Sequence, residues 1–181
     1  MKVLRAYTIN YASLADGKHV FDYQIDDKFF AQFEGSLVKK GNVAVDLVMT
    51  KTTHCLELEF EITGIVETVC DICAELFDLS IEGEEKIIVK IVDTPPTDND
   101  ELNVVYISSS DHSVSVAQMI YELILLSIPI KKTHPRDEND NLTCNPKVLE
   151  YLKISEENVA KLAEEQKNTN PIWEELKKLK K

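Results

Sequence analysis

Residues 56–62 read Leu56-Glu57-Leu58-Glu59-Phe60-Glu61-Ile62. Apolar and acidic residues alternate without a break, the period-2 signature of a strand with one buried and one solvated face. A similar row, Val43, Val45, Leu47 and Met49, precedes it. A third follows in Phe77, Leu79, Ile81, Ile87, Val89 and Ile91, all on odd positions. Gly83 interrupts that third row and is expected to mark a bulge. Lys39-Lys40-Gly41-Asn42 is expected to be a hairpin turn. Further strands are expected at Val3–Tyr7, Val20–Ile25 and Val104–Ile107. Asp26-Asp27 is expected to cap a short helix through Phe33.

The clearest helix is expected at 113–127. Its polar positions Ser115, Gln118 and Glu122 form one narrow stripe in an otherwise apolar segment, so it should be buried against a sheet. Ile128-Pro129 ends it. From 93 to 103, two prolines and four acids predict a solvated loop. After residue 130 the composition turns polar. Pro146 and Ser155-Glu156-Glu157 predict starts of short helices. Strands first and helices last predict an α+β fold. The expected form is an antiparallel sheet or partly closed barrel with one buried helix and a C-terminal helical extension. The expected division is a core domain at 1–137 and a helical extension with a basic tail at 138–181.

The chain has 181 residues, 44% of them hydrophobic, enough for a core. No apolar run approaches 18 residues, and the start, Met1-Lys2-Val3-Leu4-Arg5, lacks a long apolar segment. No membrane span or signal peptide is expected. The expected setting is the cytoplasm, where Cys55, Cys70, Cys73 and Cys144 serve as thiols or metal ligands. The net charge is −12, and Arg5 and Arg136 are the only arginines. That charge disfavours a surface gripping nucleic acid throughout, because such binding takes clustered Lys and Arg. Any RNA contact must be local or indirect.

Cys70-x-x-Cys73 falls in a turn between strands, where two thiolates reach one tetrahedral ion. Cys144 is the obvious third ligand and His134 the fourth, with nine residues between them. Together they would hold a structural zinc in a closed site of three cysteines and one histidine. The alternatives are small half-buried thiols beside a surface histidine, or a hydrolytic or redox enzyme working through Cys70 and Cys73. Redox CxxC pairs sit at helix N-termini; here Asp71 lies inside the pair and is expected to raise the thiol pKa. Ser108-Ser109-Ser110-Asp111-His112 holds the right residue types for a triad, but neighbours in sequence do not stack into triad geometry. No catalytic constellation is found, and the expectation is a non-enzyme. Basic residues gather at Lys131, Lys132 and Arg136 and at the end, Lys177, Lys178, Lys180 and Lys181 beside Trp173. These are the candidate contacts to RNA or a protein partner.

Three motifs in order carry a resemblance. They are Gly64-x5-Cys70-Asp71-Ile72-Cys73, the segment Ser113-Val114-Ser115-Val116 leading to Leu125-Leu126-Ser127-Ile128-Pro129-Ile130, and the closing Asn170-Pro171-Ile172-Trp173-Glu174-Glu175-Leu176-Lys177-Lys178-Leu179-Lys180, with Cys144 between the last two. They resemble the YceD-type large ribosomal RNA subunit accumulation proteins over most of residues 40–181, in the manner of Bacteroidetes members. The resemblance implies a non-enzymatic role in 23S rRNA accumulation and large-subunit biogenesis in the bacterial cytoplasm, with plastid relatives in a similar role. The implied partner is precursor rRNA or a ribosomal protein; a structural adaptor without RNA contact is the alternative. Where this chain has His134, some members carry a cysteine, which fits a ligand there.

Overall fold

The computed structural model describes residues 3–96, 101–139 and 142–153. The chain divides into two compact units, Met1–Val69 with Leu76–Lys132, and Cys70–Glu75 with Thr133–Lys181.

The first unit is built on a five-stranded open sheet in the order β2 (Gly17–Ile25), β3 (Gly41–Lys51), β4 (Cys55–Val69), β5 (Leu76–Val92), β6 (Val104–Ser108). The first four strands run antiparallel; β6 runs parallel to β5. The sheet is therefore mixed and open, and the barrel form does not occur. Two short strands, β1 (Thr8–Ile9) and β7 (Val114–Ser115), pair antiparallel beside it. The alternating rows behave as their period dictates. Val43, Val45, Leu47, Met49, Leu56, Leu58, Phe60 and Ile62 are all buried, and the acids between them face water.

Helix α2 (Ala117–Leu126) buries Ala117, Met119, Ile120, Leu123 and Ile124 in the same core. It is shorter at its start than expected, because Val114 and Ser115 are taken into β7, where the backbone bonds of β1 outcompete a further helical turn. α1 (Asp27–Phe30) is also shorter than expected. Asp26 caps it through Oδ1, accepting from the N–H groups of Lys28 and Phe29 at 3.0 and 3.2 Å.

Three local expectations are corrected. Val3–Tyr7 is a 3-10 helix, which buries Tyr7 against Tyr23 and Phe29 where a strand would have pointed alternate residues at water. Lys39–Asn42 is not a hairpin turn: the connection from β2 carries α1, and Gly41 and Asn42 already belong to β3. Gly83 makes no bulge, since the β4–β5 register runs one-to-one through Ile62↔Gly83. Its missing side chain instead makes room for Ser127 just past α2.

The solvent face carries a destabilising row. The registers place Asp22, Asp46, Glu61 and Glu84 side by side across four strands, all four exposed. Like charges directly opposite oppose pairing. Lys86 bridges Glu57 and Glu59 at 2.7 and 3.4 Å but not this row. Asp46→Lys should therefore stabilise the protein by about 1 kcal/mol in urea unfolding at low salt. The gain should shrink as salt screens it.

Candidate metal centre

The second unit holds the cysteine turn. The Cys70 N–H donates to the Glu75 carbonyl at 2.9 Å. Ala74 closes the turn by donating its N–H to the Cys70 carbonyl at 2.9 Å, and holds the left-handed region at φ 56°. The Ile72 N–H points back at Cys70 Sγ, 3.4 Å away.

A second chain reversal supplies the other two side chains. Arg136 and Leu142 form an antiparallel bridge, and Thr143 Oγ1 donates to the Pro135 carbonyl at 2.6 Å. Two residues beyond that bridge on each side, the same register sets His134 opposite Cys144. The nine-residue gap, too long for a common finger motif, is the length of this reversal. Asn145 then caps the helix at 146–153 through Oδ1, and its Nδ2 donates to Glu75 Oε1 at 2.7 Å, joining helix start to cysteine turn.

Cys70, Cys73, His134 and Cys144 thus offer ligand atoms within 4.8 Å of one another. Cys70 Sγ and Cys144 Sγ are 3.7 Å apart, and His134 Nδ1 lies 3.5 Å from Cys73 Sγ and 3.6 Å from Cys144 Sγ. Zinc bonds of about 2.3 Å to sulfur and about 2.0–2.1 Å to nitrogen give tetrahedral edges of about 3.8 Å (S–S) and about 3.6 Å (S–N). The three separations are those edges to within a few tenths of an ångström. The thiols are buried, yet none belongs to the apolar core cluster. Packing as small hydrophobes is therefore not what gathers them. A soft donor set of three sulfurs and one nitrogen, at this size, suits zinc, and four protein donors leave no open position for substrate.

The electrostatics agree. Burial raises the Cys70 thiol, but the backbone N–H groups of Cys73, Ile72 and His134 outweigh it and bring it down to about 6. The expected rise from Asp71 is overturned by these N–H groups. Burial, and then the neighbouring Cys70 sulfur, push Cys144 up to about 11. The pair therefore shares one negative charge near neutral pH.

The family comparison bears on the same residues. The family described as Large ribosomal RNA subunit accumulation protein YceD matches residues 58–180. The chain belongs to the YceD family. The match covers most of β4, the cysteine turn, α2 and the segment bearing His134 and Cys144, and a ribosome-biogenesis role fits it. No curated protein and no solved structure matches this YceD-family chain.

Lys131 is exposed and Lys132 half-buried at the end of the first unit, and Arg136 is exposed in the second. Trp173, Lys177, Lys178, Lys180 and Lys181, and the helix expected from Ser155, lie outside the described residues. Cys55 is half-buried beside Thr52 Oγ1, 3.1 Å from its sulfur. The Ser108–His112 stretch is a turn: the Ser108 N–H donates to Asp111 Oδ2 at 3.1 Å. Among the described residues no helix is long and apolar enough to cross a membrane. Glu75 and Thr143 carry no signal in the sequence, because Glu75 acts only where the two reversals meet and Thr143 only once the second reversal has closed.

Proposed function

We propose that this chain is a non-enzymatic factor for large ribosomal subunit biogenesis, promoting 23S rRNA accumulation in the bacterial cytoplasm by binding precursor rRNA or a ribosomal protein. The observation that carries this is the YceD-family match over residues 58–180. One structural zinc, held by Cys70, Cys73, His134 and Cys144, fixes the segment from Thr133 onto the cysteine turn. The closed donor set supports a structural role over a hydrolytic or redox one. The acidic row on the sheet repels phosphate, so direct RNA contact falls to Lys131, Lys132, Arg136 and the tail with Trp173, Lys177, Lys178, Lys180 and Lys181.

Depletion of the protein, followed by sucrose-gradient profiling, tests this. A reduced large-subunit peak and less 23S rRNA are expected. Normal levels of both would refute the role.

A further inference from the structure

Strand β2 is an edge. It pairs with β3 on one side, and among the described residues no other backbone or side-chain group bonds its main chain. An edge nine residues long presents a row of unpaired donors and acceptors. Its solvent face reads Lys18, Val20, Asp22, Gln24, all exposed, with Val20 at 63%.

We propose that β2 pairs antiparallel with β2 of a second copy of this chain, about a two-fold axis at Val20. The register follows from the charges. With Val20 opposite its own equivalent, Lys18 falls opposite Asp22 of the second copy, and Asp22 opposite Lys18, so one arrangement satisfies both charges twice. A two-fold interface must be self-complementary in this way. Val20, an exposed apolar residue between the two charged positions, meets its own equivalent at the centre.

A second observation selects the same partner. Asp22 is the last carboxylate of the row that starts at Glu84 and passes through Glu61 and Asp46. Within one copy the row ends at the edge strand, with no further strand beyond it among the described residues. In the pair, Lys18 of the second copy stands next in line. On the core side, the same register sets half-buried His19 opposite half-buried Phe21 twice. Phe21 and Tyr23 line an open groove of about 320 Å³ with Ile9 and Leu14. Pairing at the edge brings a second chain to its rim. The two sheets become one of ten strands.

Sedimentation equilibrium on the full chain, under reducing conditions and from about 1 µM to about 500 µM, tests this. That range suits an interface smaller than the standard of about 1,600 Å². A concentration-dependent dimer is expected. Lys18→Asp and Asp22→Lys should each weaken it at least about tenfold, because each sets like charges opposite one another in both pairs. The double variant K18D/D22K restores opposite charges and should return the dissociation constant to within about threefold of the original. Circular dichroism confirms that each variant is folded. A monomer at every concentration would overturn the proposal, as would a dimer indifferent to the single changes or not rescued by the double one.

Discussion

Cys144→Ser is expected to release zinc from the protein and to loosen residues 133–153 while the sheet stays folded. Structural zinc in small finger peptides contributes an apparent ~10–16 kcal/mol over four ligands. Loss of one ligand is thus worth about 2.5–4 kcal/mol, or about 60–700-fold in zinc affinity. The local nature of the effect follows from the architecture. All four ligands belong to the second unit, and the apolar core of the first contains none of them. Hydrogen exchange should therefore rise in the Cys70–Glu75 turn and around His134 while β3 and β4 remain protected. Chelation of the unmutated protein should give the same pattern. Zinc retained at full stoichiometry in the variant would remove Cys144 from the site. The response to acid has a fixed sign. Zinc displaces the proton that Cys144, pushed up to about 11, keeps at neutral pH. Affinity should therefore fall as pH falls, and steepen once Cys70, at about 6, also takes a proton.

The second large effect is expected at Gly64, where Gly64→Ala should destabilise the first unit by about 2–4 kcal/mol in urea unfolding. A Cβ there would meet the Asn42 carbonyl oxygen at 2.5 Å and Val43 Cα at 2.6 Å. Both are backbone atoms of β3, fixed by the β3–β4 ladder that pairs Val43 with Gly64. Relief requires the strands to part beneath the buried Val43 and Val66. Gly83→Ala makes the useful contrast. The obstacle there is Ser127 Oγ, the end of a rotatable side chain whose bond is to the Leu123 carbonyl at 2.8 Å. That change should cost about 1 kcal/mol, the worth of the displaced hydrogen bond. Equal effects at the two glycines would contradict the close strand approach at Gly64.

These two glycines also mark how far the sequence could be read. Gly83 was legible as an exception within a strand, but not its reason, because Ser127 lies far away in sequence and only packing brings it near. The central strands were legible because burial on one face forces period 2 on Val43–Met49 and Leu56–Ile62. The parallel direction of β6 was not, since Val104–Ile107 alternates no differently in either direction. Val3–Tyr7 misled for a related reason. Its apolar content suits a strand, yet the aromatic neighbours of Tyr7 are what bury it. For the candidate metal centre, residue types singled out the four side chains that cluster. The distances they span depend on the Arg136–Leu142 bridge and on the backbone N–H groups around Cys70, which composition does not encode. The YceD assignment came from motif order along the chain, and the family match then covered those same segments.

The closed centre of three cysteines and one histidine is tested most directly by zinc K-edge X-ray absorption on the purified full-length chain, with the metal content measured on the same sample. One zinc per chain is expected, with three sulfur neighbours at about 2.3 Å and one nitrogen at about 2.0–2.1 Å. A metal-free protein with four titratable thiols, or a zinc bound by oxygen and nitrogen alone, would contradict it.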